Sequence, residues 1–74
     1  MPTTVAALGE QALLEGYRLA GARVYAAETD DEVRRAWAAM PEHTGIVILT
    51  QRAAAALGAA VSNPLSPLTA VLPL

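Results

Sequence analysis

The chain predicts an α/β fold, a parallel sheet with helices on both faces, and three observations carry that expectation. Short apolar runs alternate with segments of helical period along the whole chain. The run Ile46-Val47-Ile48-Leu49 is continuous, branched and uncharged, as expected of a central strand covered on both faces. Thr29-Asp30-Asp31-Glu32 has the pattern of a helix start, in which a threonine hydroxyl and a glutamate three residues on satisfy unpaired amides.

The elements follow in order. Thr3 to Leu8 is a short apolar run closed by Gly9, which predicts a first strand. From Glu10 to Ala20 the period becomes helical, with Gln11, Glu15 and Arg18 in one polar stripe and Leu13, Tyr17 and Ala20 on the opposite side. Gly21 is placed to end that helix, because glycine accepts the left-handed conformation of a C-terminal cap. Arg23 to Ala27 predicts the second strand. The helix begun at Thr29 carries three acids in its first turn, which suit its dipole. Its apolar face is Val33, Ala36, Trp37 and Met40, with Arg34 and Arg35 turned away from the centre. Pro41 stops it. After the third strand, Arg52 to Val61 reads as one helix, Ser62 to Pro67 as a turn, and Leu68 to Leu72 as a fourth strand. The order is β-α-β-α-β-α-β in a single domain, residues 1–74. Right-handed crossovers then give a small three-layer, flavodoxin-like arrangement with strand order 2-1-3-4.

Composition limits what such a domain does. Seventy-four residues bury only about 60% of the surface the unfolded chain exposes, enough for one small core. That core is aliphatic, since the aromatics are only Tyr17, Tyr25 and Trp37. All five basic residues are arginine and the net charge is −2, so no basic stripe is available to phosphates and nucleic acid is not an expected partner. There is no cysteine, hence no disulfide framework or thiolate metal site. The start lacks a basic region and a long apolar run, so no signal peptide is expected and the cytoplasm is the default location. The uncharged tail from Ala53 to Leu74 is interrupted by Ser62, Asn63, Pro64, Ser66 and Pro67, which argues against membrane insertion.

In a sheet of this topology ligands bind beyond the carboxyl ends of the first and third strands. Those ends supply Gly9, Glu10, Thr50, Gln51 and Arg52 as possible contacts. A dinucleotide site needs G-x-G-x-x-G, whereas this turn reads G-E-Q-A-L-L-E-G and puts a glutamate where phosphate should sit, and Glu28 does not rescue the fingerprint. A phosphoacceptor site needs clustered acids, an attacking aspartate and usually a lysine; Thr50 follows the third strand and the chain has no lysine. Glu10 reads as a solvated charge in the first helical turn. His43, beside Glu42, has no obvious set of ligands or nucleophile to work with, and Trp37 and Met40 fit a core stripe. Arg34 and Arg35 read as a solvated face. No catalytic residue, cofactor site or metal site is expected.

Two stretches resemble a known family. V-A-A-L-G-E-Q-A-L-L-E-G-Y-R-L-A-G is similar to the start of the F subunit of the V-type and A-type ATP synthases (ATPases), where a strand ends in Gly-Asp or Gly-Glu and a Gly-Phe-Arg-Leu-Ala-Gly-like run follows. Gly9, Glu10, Gly16, Tyr17, Arg18, Leu19, Ala20 and Gly21 take those positions, with Tyr17 for the phenylalanine. G-I-V-I-L-T-Q-R, from Gly45 to Arg52, resembles the family's Ile-Thr-Glu-Arg run, with Gln51 replacing the glutamate, and the closing V-L-P-L suits its fourth strand. The resemblance implies a non-catalytic component of the central rotor stalk, coupling ATP turnover to proton or sodium transport beside the rotor's D subunit and the catalytic head. It implies a cytoplasmic place, peripheral to a membrane-bound ATPase. Family members continue into a C-terminal segment ending in a helix that packs on rotor and head, whereas this sequence stops at Leu74, just past the fourth strand; docking without that helix is the open expectation.

No charged residue follows Arg52, so the third helix shows water little that is polar. Leu57 and Val61 should cover the sheet, while Ala54, Ala55 and Gly58 lie on other sides. A flat, small-residue surface of this kind, with Leu68 and Val71 of the adjoining strand, predicts a protein partner or a homodimer contact. The competing reading is that alanine is simply a good helix former. The functional alternative is accordingly a stand-alone interaction module without an ATPase role.

Overall fold

The computed structural model describes residues 4–19, 21–41, 44–62 and 66–73. Its strands β1 (Thr4–Gly9), β2 (Arg23–Ala26), β3 (Thr44–Leu49) and β4 (Leu68–Val71) form one parallel sheet in the order β2-β1-β3-β4. Helices α1 (Gln11–Leu19), α2 (Asp30–Ala38) and α3 (Gln51–Leu57) make the crossovers. Right-handed connections put α1, which leads outward to β2, on one face, and α2 and α3, which lead the other way, on the opposite face. Accordingly α1 packs on β1 and β2, and α2 packs against α3.

The two faces have different cores. Ala6, Leu8, Val47 and Leu49 point from the central strands toward Val33 of α2 and Ala53 and Leu57 of α3, with Tyr25, Ala36, Trp37, Met40 and Val61 packed around them. Fully burying a side chain such as Leu8, Leu49 or Val33 contributes about 1.5–3 kcal/mol. The opposite face is thinner. There Ala7 and Leu14 are buried outside that cluster, Leu14 being the buried leucine of α1 among the described side chains. Leu13, on the apolar side of α1, is 55% exposed and Tyr17 is half-buried. Small alanines in β1 leave room for α1 to approach closely, and Leu14 fills the gap.

β3 departs from its expected environment. Val47 and Leu49 are fully buried, but Ile48 is half-buried and Ile46 is 39% exposed, so the strand is fully covered on one face and only partly on the other. The reason is positional: α1 lies over β1 and β2 and does not extend across β3.

The capping box of α2 forms with one change. Thr29 Oγ1 accepts the Glu32 N–H at 3.2 Å, while Glu32 Oε1 accepts the N–H of Glu28, at 2.7 Å, rather than that of Thr29. The third helix is shorter than its period suggests. It ends at Leu57, and Gly58, at φ 54° and ψ −126°, turns the chain into a 3₁₀ segment from Gly58 to Ser62. This backbone region is open essentially to glycine alone, which is why alanine propensity cannot carry the helix through. Val61 still reaches the core from the 3₁₀ turn.

Candidate functional site

The switch point lies between the carboxyl ends of β1 and β3, and its residues are drawn together by backbone contacts before any side chain acts. Thr50 N–H donates to the Leu8 carbonyl at 3.2 Å, and Ala27 N–H to the Gly9 carbonyl at 2.8 Å. Gly9 is buried with φ 152°, and a Cβ there would fall within the Thr50 side chain. Glycine is therefore required by Thr50, not by an approaching phosphate.

Thr50 does two jobs with one hydroxyl. It donates to Glu10 Oε1 at 2.6 Å and accepts the Ala53 N–H at 3.3 Å as the N-cap of α3. Glu10 is thus half-buried and tied to the neighbouring loop, ahead of α1, rather than a solvated charge within its first turn. The amide of Gln11, which opens α1 and would face an anion in a nucleotide-binding protein of this topology, donates instead to Glu28 Oε2 at 3.0 Å. Glu28 has no role legible in the sequence alone. Its position one strand over is visible there, but its reach across the turn depends on how β1 and β2 pair.

The remaining contacts leave the site self-satisfied. Gln51 Nε2 reaches the Leu72 carbonyl at 3.5 Å, and Arg52 Nε lies 3.9 Å from Asp30 Oδ1 on the surface, a pair worth little in solution. The structure therefore joins Gly9, Glu10 and Thr50 directly and sends Gln51 and Arg52 to opposite sides. Two carboxylates accept from the Gln11 amide and the Thr50 hydroxyl, donors that an anion at this turn would need. Among the described residues, no group of three or more acidic or histidine side chains is placed to hold a metal. The expectation for His43 and Glu42 lies outside the described residues.

Beside the switch point a groove of about 340 Å³ opens between α1 and the end of β4, lined by Leu13, Tyr17, Thr50, Gln51, Leu72 and Pro73. No local pattern in the sequence marks it, because its two walls are far apart in the chain and meet only through the sheet.

The small-residue surface is divided. Ala54 and Ala56 pack partly against the core, whereas Ala55 and Gly58 are exposed. Arg34 of α2 brings a cation to the C-terminal end of α3, which has no charge of its own after Arg52, its Nη1 lying 3.5 Å from the Ala56 carbonyl. On β4, Leu68 is 74% exposed and Val71 51%. Among the described residues no helix is long and apolar enough to cross a membrane.

Comparison with curated proteins gives no match. The family model described as ATP synthase (F/14-kDa) subunit matches residues 5–74, from β1 through β4, and on that match the chain belongs to the ATP synthase (F/14-kDa) subunit family.

Proposed function

We propose that the protein is a non-catalytic component of a V/A-type ATPase central rotor stalk, equivalent to the F subunit, contributing by protein contact to the coupling of ATP turnover with proton or sodium transport. The observation that carries this reading is the family match running from β1 through β4. The self-satisfied switch point is in keeping with it, because Glu10 and Glu28 take up the donors that a nucleotide would need. On this reading the work lies in surfaces. Its partners are the rotor's D subunit and the catalytic head, at a cytoplasmic site peripheral to the membrane sector, and Ala54, Ala55, Gly58, Leu68 and Val71 are contact candidates.

A stand-alone interaction module that pairs as a homodimer is the second reading, and the uncharged, exposed β4 is the feature in its favour. Size-exclusion chromatography with light scattering, on the chain alone and mixed with the purified D subunit of the same enzyme, separates the two. A one-to-one complex of the two proteins supports the rotor component. A concentration-dependent dimer that ignores the D subunit would sink it.

A further inference from the structure

All three helices start along one edge of the sheet, at the carboxyl ends of β1, β2 and β3, and side chains tie those starts in a row. Glu32 of α2 accepts the Glu28 N–H at 2.7 Å, and Glu28 Oε2 accepts the Gln11 N–H that opens α1, at 3.0 Å. Glu10, ahead of α1, takes the Thr50 hydroxyl at 2.6 Å, and the same hydroxyl oxygen accepts the Ala53 N–H of α3 at 3.3 Å. Because α1 lies on one face of the sheet and α2 and α3 on the other, the row crosses twice between the two helical layers.

Exposure decides which crossing carries weight. The Glu28 bonds lie in water, which competes for donor and acceptor alike and leaves little net energy. The other crossing is sheltered: Thr50 is 1% exposed and Glu10 half-buried. An O–H···O distance of 2.6 Å is that of a charge-assisted bond, about twice as strong as a neutral one. A hydroxyl has one proton to give, and giving it to Glu10 holds a lone pair of Oγ1 toward the Ala53 N–H. Ala53 is fully buried, so its amide has no access to solvent as a substitute. On the other side, the Leu13 N–H donates to the Glu10 carbonyl at 3.1 Å, so the position of Glu10 sets the first turn of α1.

We propose that the Glu10–Thr50 bond is a conformational latch between the two layers, through which the first turns of α1 and α3 open and close together rather than separately. A contact that orders the start of α1 on one face then also orders the start of α3 on the other. The coupling is reciprocal, as equilibrium linkage requires. It stands independently of the rotor-stalk reading. Hydrogen exchange followed by NMR reads each layer at an amide remote from the substitution. Ala53 reports α3, Leu13 reports α1, and Val47 in β3 is the reference for opening of the whole molecule.

Glu10→Ala is expected to speed exchange at Ala53 about tenfold relative to Val47. Glu10→Gln, which keeps an acceptor oxygen without the charge, should act in the same direction by less. Glu28→Ala, which cuts the exposed bond to Gln11, should leave Ala53 within about twofold of the unsubstituted chain. From the opposite layer, Thr50→Val should speed exchange at Leu13 about fivefold relative to Val47. An Ala53 amide that follows Val47 within about twofold in Glu10→Ala overturns the latch, as does an equal effect from Glu28→Ala. An unchanged Leu13 in Thr50→Val overturns it as well, because an effect that runs one way only is not a coupling.

Discussion

Gly9 shows how one residue type is explained by its neighbour. Its φ of 152° disfavours side chains, and the place of a Cβ is taken by Thr50, which also caps α3 and holds Glu10. Gly9→Ala is therefore expected to cost about 2–4 kcal/mol, from overpacking and backbone strain together, read as a lowered urea midpoint. Thr50→Ser keeps the hydroxyl and removes a methyl group that crowds that Cβ, so combining the two should cost less than Gly9→Ala alone. A double variant no more stable than the single one would show that backbone conformation, rather than the threonine, dominates. The carboxylates of Glu10 and Glu28 lead to a second expectation. Millimolar ATP, NAD or inorganic phosphate should leave the melting temperature unchanged, since the Gln11 amide and the Thr50 hydroxyl already have anionic partners. A rise of several degrees with any of them would contradict a closed switch point. The sequence shows the glutamate in the turn; that it bonds Thr50, 40 positions away in the chain, is beyond any local pattern.

At the scale of elements, the helices separate what periodicity tells from what it does not. In α1, Leu13 and Leu14 are adjacent and chemically identical, yet Leu14 is fully buried and Leu13 is half in water. Leu13 and Leu14 lie on either side of Tyr17 around the helix, both away from the polar stripe of Gln11, Glu15 and Arg18, so the period does not choose between them and the docking angle on β1 and β2 does. Leu14→Ala should cost about 2–5 kcal/mol, whereas Leu13→Ala should stay within about 1 kcal/mol, as chemical denaturation would show. Equal losses would mean that α1 is seated differently. In α3 the break at Gly58 sets the length. Gly58→Ala should destabilise the protein by about 1–3 kcal/mol despite alanine's better helix propensity, because φ 54° with ψ −126° excludes a side chain. A gain in stability and helical ellipticity would show instead that the helix can continue to Val61, as its composition suggests. The capping box of α2 is the most legible element, because both of its partners lie within one turn of chain.

For the whole molecule, order of protection should follow position in the sheet. Amides of β1 and β3 lie in the middle of the hydrogen-bonded ladder, whereas Thr69 and Val71 direct theirs to the free edge. Hydrogen exchange followed by NMR should find Ala7, Leu8 and Val47 among the slowest amides and Thr69 and Val71 among the fast ones. Slow exchange at Thr69 and Val71, at a concentration where the chain is monomeric, would contradict the open edge. The sequence by itself determined the order of elements, the parallel sheet and its 2-1-3-4 arrangement. Local period sets each element's type, and crossover handedness leaves few topologies for such a short chain. It also carried the family's motifs, which lie in contiguous runs around the first turn and the third strand. Only the tertiary structure decided that Glu28 closes the start of α1, that Leu14 is buried where Leu13 is not, and that β3 is only partly covered on one side. Each depends on distances between strands and helices that are far apart in the chain, and an apolar run reads the same whether one of its faces is covered or two.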